Sequence, residues 1–187
     1  MIEQLIVYIQ SLIAGYGAWG VFAATMIEEA VSPIPSPIIP LAAGFFLLSI
    51  DLSFAEALLR SAYVIALPVS IGVSIGSSAV YAIGFFGGKP VIDSTKRWTG
   101  IRWEDVEKVE ARLTRGKGDE ITLFVLRMIP LIPGVAVSGL AGIIRYRFRT
   151  FLLITLVGSF LRALLLGLVG WQVGEFYGYY ADVPAYK

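Results

Sequence analysis

No cysteine and no histidine occurs among the 187 residues of this chain. Their absence removes disulfides, thiolate nucleophiles, imidazole acid–base catalysis, hydrolase triads, and zinc or haem held by the usual ligands. Charge is scarce too. Asp, Glu, Lys and Arg make up only 16% of the chain, against about a quarter in soluble domains. The net charge of +1 offers no basic excess for a nucleic-acid partner. Glu3, rather than a basic segment, precedes the first apolar run, so a cleavable secretory signal is not expected. Gly87-Gly88-Lys89 lacks the spacing of a phosphate-binding P-loop. What abounds is apolar: 57% of residues, with a mean hydropathy of +0.77. A water-soluble fold of this composition would expose large greasy patches, whereas a lipid solvent removes that problem.

Five stretches are long and nearly free of charge: 4–27, 30–50, 62–86, 121–144 with Arg127, and 150–174 with Arg162. A spanning helix needs about 20 apolar residues, which 62–86 and 150–174 supply without strain, Pro68 being tolerable in such a helix. Gly72-xxx-Gly76, Gly84-xxx-Gly88 and Gly170-xxx-Gly174 provide flat faces for close helix packing. Two other segments are cut by proline. Pro33, Pro35, Pro37 and Pro40 interrupt 19–49, and Pro130 and Pro133 interrupt 119–145. At about 1.5 Å per residue, arms of roughly 11 and 12 residues reach only about halfway through a ~30 Å hydrocarbon core. Each segment therefore reads as a re-entrant hairpin.

The distribution of positive charge agrees. The loop 87–118 holds eight of the fifteen Lys and Arg residues, and Arg145, Arg147 and Arg149 follow the second hairpin. By the positive-inside rule both basic regions lie on the cytoplasmic side. The segment 119–145 then leaves and returns on one face, the segment 19–49 enters from the other, and the two tips meet near the midplane. In the loop 87–118, Trp103, Val106, Val109 and Leu113 recur at helical spacing, as in an amphipathic helix lying in the interface. A shift of 98 residues superposes Pro35 on Pro133, Ala43-Gly44 on Ala141-Gly142, and Glu29 on Arg127. Inverted repeats with broken helices meeting at the midplane are a transporter architecture. The expected fold is thus one all-α integral membrane domain over 1–187, an inverted repeat of two re-entrant hairpins (19–49 and 119–145), each followed by a transmembrane helix (62–86 and 150–174).

Four charged residues fall inside these apolar segments. An ionised carboxylate deep in hydrocarbon must be paired, protonated or wet, so Glu28 and Glu29 at the end of the first arm are candidates for proton or charge coupling. The bland alternative is that one of them caps backbone amides at the helix break, or faces water. Arg127 precedes Pro130 in the opposite hairpin. A guanidinium stays charged and binds phosphate through two parallel bonds; otherwise Arg127 is a structural partner of Glu28 or Glu29. Arg162 lies mid-span, too far from either end to snorkel easily, and is expected to face a cavity. Pro33, Pro35, Pro130, Pro133 and Gly134 read as structural residues of the hairpin tips. Tyr81, Trp98, Trp103, Tyr146 and Trp171 read as packing or interface anchors.

Three motifs carry a family resemblance: Ile27-Glu28-Glu29-Ala30-Val31-Ser32-Pro33-Ile34-Pro35-Ser36 with Leu41-Ala42-Ala43-Gly44; Gly76-Ser77-Ser78-Ala79-Val80-Tyr81 with Gly84-Phe85-Phe86-Gly87-Gly88; and Leu126-Arg127-Met128-Ile129-Pro130-Leu131-Ile132-Pro133-Gly134 with Gly139-Leu140-Ala141-Gly142. Together the chain resembles the DedA family of membrane proteins, also described as SNARE-associated Golgi or VTT-domain proteins. The resemblance implies lipid handling: flipping of polyprenyl phosphate or phospholipid, or scrambling, with proton coupling. It makes Glu28 the family's membrane acid and Arg127 its first arginine. Two departures stand out. Pro37 occupies the place of a second acid, and Pro133 that of a second arginine, so an acid and a base are missing together, and Arg162 is positioned to compensate.

The expected activity is a DedA-like flippase or scramblase in the cell membrane, multi-pass, acting on a phosphate-bearing lipid. No enzymatic activity, cofactor or metal is expected. Protons are a candidate coupling ion, and a homo-oligomer is left open. The alternatives are a proton-coupled transporter of a small ion or solute, and a scaffold in which the buried charges only pair.

Overall fold

The computed structural model describes residues 11–13, 15–30, 37–99, 102–104, 119–129 and 132–181. Pro33, Pro35 and Pro130 lie outside these residues, as do Val106, Val109 and Leu113 of the expected interfacial helix. Among the described residues every regular element is helical.

Four helices are short: α1 (Ala18–Ala30), α2 (Ile38–Leu47), α5 (Asp119–Met128) and α6 (Gly134–Ile143). Two segments are long. The first runs through α3 (Phe54–Arg60), a π-helical stretch (Ser61–Ala66) and α4 (Leu67–Thr99). The second is α7 (Phe148–Ala181). Both contain helices long and apolar enough to cross a membrane, Phe54–Gly88 and Phe148–Gly174.

Local chemistry sets these limits. The first long segment starts earlier than the apolar run at 62 suggests, because Ser53 and Glu56 form a capping box: each side chain takes the other's backbone amide. The π-helical stretch directly precedes Pro68. That proline cannot donate to the carbonyl four residues back and would crowd it in a regular helix, and a wider turn relieves both problems. Gly88, at φ 51° and ψ −139°, breaks α4 where the apolar run ends. At the end of α6, Arg145 takes φ 53°, and the Tyr146 amide donates to the Ala141 carbonyl, the pattern of a left-handed helix terminus.

The long helices turn apolar residues outward as well as inward. Tyr63, Leu67, Ile71 and Ile75 form an exposed apolar stripe on the first long segment, and Leu153, Val157, Leu165, Val169 and Val173 form one on α7. The buried faces carry Ser70, Ser74, Ser77, Thr155 and Ser159. Two of these hydroxyls are quietened by back-bonding along the helix: Ser70 donates to the Leu67 carbonyl and Ser159 to that of Thr155.

The short helices seat on the long ones in a crossed pattern. Helices α1 and α6 pack on α4, whereas α2 and α5 pack on α7. Glycines permit the closest approaches. A Cβ on Gly44 would strike the Gly167 carbonyl and crowd the Trp171 amide, and one on Gly142 would strike the Tyr81 carbonyl and crowd the Phe85 amide. Likewise Gly170 abuts the Leu41 carbonyl and Gly84 that of Gly139. The same register, 41 and 44 against 167, 170 and 171, thus recurs as 139 and 142 against 81, 84 and 85. Aromatic anchors fasten both pairings: Trp171 Nε1 donates to the Ser49 carbonyl at 2.9 Å, and the Tyr81 hydroxyl to the Tyr146 carbonyl at 2.6 Å.

These contacts amend the single shift of 98 residues. The shift fits the second short helices, where Gly44 and Gly142 play the same part. In the first short helices Gly72 packs against Thr25 and Phe22, while Gly158 packs against Arg127 and Phe124. Thr25, not Glu29, therefore stands where Arg127 stands. Gly142→Ala is expected to destabilise the protein by about 1–3 kcal/mol through overpacking. Gly139→Ala, whose added Cβ would find Val80 Cγ1 at 3.8 Å, is expected to be tolerated. Thermal unfolding of both variants in detergent checks this.

Candidate functional site

Glu28, Glu29, Arg127 and Arg162 line one small cleft of about 30 Å³, together with Pro40, Val69, Val73, Gly134, Ser159 and Ala163. The sequence separates these charges by as much as the length of the chain from α1 to α7, yet the crossed packing brings them to one place. Helix α1 delivers both acids at its C-terminal end, α5 delivers Arg127 from its last turn, and α7 delivers Arg162 from mid-helix.

Arg127 is only 3% exposed and Glu28 only 8%, while Glu29 and Arg162 are half-buried. Arg127 Nη2 donates to Ser138 Oγ at 2.8 Å, and Nη1 reaches the Gly134 carbonyl at 3.4 Å. Its guanidinium lies 5.3 Å from the centre of the Phe151 ring. Gly134 is the meeting point of base and acid. A Cβ built on it would lie 3.1 Å from Arg127 Nη1 and 3.3 Å from Glu29 Oε1. Gly76 serves Glu29 in the same way, since a Cβ there would fall 2.6 Å from the Glu29 Cβ. Glycine at these positions is what lets the charged side chains enter.

The charges interact across the cleft. Glu29 feels both Arg127 and Arg162, and Arg162 feels Glu28 as well as Glu29. Compensation is incomplete at the level of hydrogen bonds. Glu29 Oε2, Arg127 Nε and Arg162 Nη2 are buried and have no hydrogen-bond partner among the described residues. Two donors and one acceptor are thus left inside a cleft whose own groups do not satisfy them.

Of the remaining residues singled out in the sequence, Gly134 lines the cleft, and Pro133 stands exposed just before α6 in extended backbone. Pro37 stands just before α2, half-buried and already in helical backbone. Sequence reasoning passed over Ser138, Ser159 and Gly158, and read Gly76 only as a helix-packing and motif residue. The spacing of Ser159 and Arg162 at i and i+3 puts them on one helix face and was a usable signal. Ser138 had none, because small residues surround it on α6.

A family model for the VTT domain matches residues 34–172. The chain belongs to the VTT-domain (DedA) family. The matched span takes in both arginines of the cleft and the second half of the proline-broken segment that begins the site. Among curated proteins the chain is 25% identical to the uncharacterized membrane protein YbfM of Bacillus subtilis, over 89% of this chain and 96% of that protein. It is 27% identical to undecaprenyl phosphate transporter A of Bacillus subtilis, over 92% of this chain and 79% of that one. An alkaline phosphatase-like protein of Lactococcus lactis is also 27% identical, over 86% of this chain and 72% of its own length. No solved structure matches the chain. With its two long apolar helices, this VTT-domain chain is a membrane protein.

If the cleft charges are coupled, removing one member must cost more than removing both. Arg127→Met alone is expected to lower the unfolding temperature more than Arg127→Met combined with Glu29→Gln. The coupling energy, read from a double-mutant cycle in detergent, is expected to be about 0.5–3 kcal/mol.

Proposed function

We propose that this VTT-domain protein moves a phosphate-bearing lipid, a polyprenyl phosphate or a phospholipid, across the membrane, and does so without enzymatic turnover. The observation that carries the reading is the shared cleft: two arginines and two glutamates around a space with buried, unsatisfied N–H and carboxylate groups. Guanidinium N–H groups suit phosphate oxygens, and the lipid tail stays in the bilayer. The name of the 27%-identical undecaprenyl phosphate transporter A supports the same substrate chemistry.

In this reading the two proline-broken segments enter from opposite leaflets as re-entrant hairpins of an inverted repeat. The short helices, of 10 to 13 residues, are each about half the length a ~30 Å core demands, which supports it. So does the recurrence of the α2–α7 contacts between α6 and α4. Pro33, Pro35, Pro130, Pro133 and Gly134 shape the tips, and the tips bring the acids against the bases. Arg127 and Arg162 hold the phosphate. Glu28 and Glu29 compete for them, and protonation of an acid releases an arginine to the lipid, so protons can drive or gate the exchange. Arg162 stands in for the second arginine whose place Pro133 takes. The membrane is the cell membrane, crossed more than once.

Reconstituted vesicles test the reading with fluorescent polyprenyl phosphate and fluorescent phosphatidylglycerol as separate probes. Arg127→Ala is expected to abolish movement of the accepted probe in a protein that still folds, and Arg162→Ala to slow it by about tenfold or more, the loss of one charge-assisted contact. Wild-type rates for Arg127→Ala refute the proposal, as does release of inorganic phosphate in place of lipid movement.

Proton coupling has its own check. Acidifying the side from which the acids are reached is expected to raise the wild-type rate. Glu29→Gln, a permanent mimic of the protonated acid, is expected to flatten that response. A Glu29→Gln profile that parallels the wild type removes Glu29 from the coupling step.

A further inference from the structure

The crossed packing sorts the helices into two groups. One holds α1, α4 and α6; the other holds α2, α5 and α7; α4 and α7 pack against each other and join the two. The helices joined through the proline breaks, α1 with α2 and α5 with α6, touch each other little. Both acids of the cleft belong to the first group, and both arginines to the second. The cleft is therefore a seam, with carboxylates on one wall and guanidiniums on the other.

Arg127 bridges this seam. Its stem rests on its own group, where a Cβ on Gly158 would fall 2.9 Å from the Arg127 Cβ and where Phe151 lies under the guanidinium. Its head reaches the opposite group, bonding Ser138 Oγ and the Gly134 carbonyl of α6. Ser138 is wholly buried, and its own proton goes to the Gly134 carbonyl at 2.8 Å. With that proton committed, the hydroxyl presents only lone pairs to Arg127. The partner is thus an oriented, neutral acceptor. It fixes the guanidinium without neutralising it, and Nε stays buried without a partner among the described residues. A carboxylate at this position would have consumed the positive charge.

We infer that Ser138 is a positioning residue of the site: it holds the Arg127 head across the seam in the orientation that receives an anionic head group. The inference rests on the reading of Arg127 as the phosphate-binding base, and the experiment separates the two. The probe is a fluorescent polyprenyl phosphate, or fluorescent phosphatidylglycerol if that is what the wild type moves, in vesicles of phosphatidylethanolamine and phosphatidylglycerol. Loss of one hydrogen bond to a charged group predicts that Ser138→Ala raises the half-saturating probe fraction about tenfold, with a smaller change in maximal rate. Ser138→Thr, which keeps the hydroxyl, is expected to recover most of that loss. Ser138→Ala removes a single atom from a buried site, and its melting temperature and elution profile in detergent establish that it folds. An unchanged half-saturation overturns the inference. So does a fall in maximal rate alone, which marks Ser138 as merely structural. If Arg127→Ala itself transports like the wild type, the underlying reading falls, and this inference with it. If Arg127→Ala is dead and Ser138→Ala is normal, only the role of Ser138 falls.

Discussion

Everything distinctive in this molecule depends on the cost of placing charge where water is scarce. A single ionised side chain at the centre of a bilayer costs about 2.5–3.5 kcal/mol even on the most lenient scale. This chain places four in one cleft, two acids and two arginines. They reduce one another's cost by opposite sign and proximity. Among the described residues, Glu29 Oε2, Arg127 Nε and Arg162 Nη2 are buried without a hydrogen-bond partner. A fully satisfied cluster would be a strut. A partly satisfied one retains capacity for a ligand, and this is the physical difference between a scaffold and a binding site.

The fold bears that cluster by means of glycine. Gly76, Gly134 and Gly158 clear the volume that the Glu29 and Arg127 side chains occupy, and Gly44, Gly84, Gly142 and Gly170 let backbones touch where α2 meets α7 and α6 meets α4. Helix association in lipid relies on such close contact, because hydrocarbon outside is as apolar as leucine inside. The exposed stripes from Tyr63 to Ile75 and from Leu153 to Val173 then face a solvent that suits them. Specific contact comes from small residues and buried hydroxyls, alongside two buried apolar clusters around Ile39 and Ile65 and around Tyr81 and Phe151.

Much of this was legible in the sequence. The two long helices follow from 62–86 and 150–174, the short ones from the positions of proline, and all four charges of the cleft stand out because their surroundings are apolar. Loop charge suggested that the tips carrying Glu28, Glu29 and Arg127 meet, and Arg162 was expected to face a cavity; one cleft holds all four. Other features were not legible. A single shift aligned Glu29 with Arg127, whereas by contact it is Thr25 that meets Gly72 as Arg127 meets Gly158. Nor does a pattern of apolar residues say which long helix a short one will choose. That choice rests on matching glycines with carbonyls far away in sequence. Ser138 was invisible for a related reason: its importance comes from the direction of one hydroxyl proton, which only the neighbouring Gly134 carbonyl fixes.

The central claim is that a carboxylate and a guanidinium meet deep within the hydrocarbon, and depth can be measured directly. Because the chain has no native cysteine, a single spin label can be placed at position 29 or at position 127 without background. Power-saturation measurements in lipid vesicles, with oxygen and a water-soluble nickel chelate as relaxers, report the distance of each label from the phosphate plane. The account predicts that both labels lie near the middle of the bilayer. Either label in the headgroup region or in bulk water would contradict it.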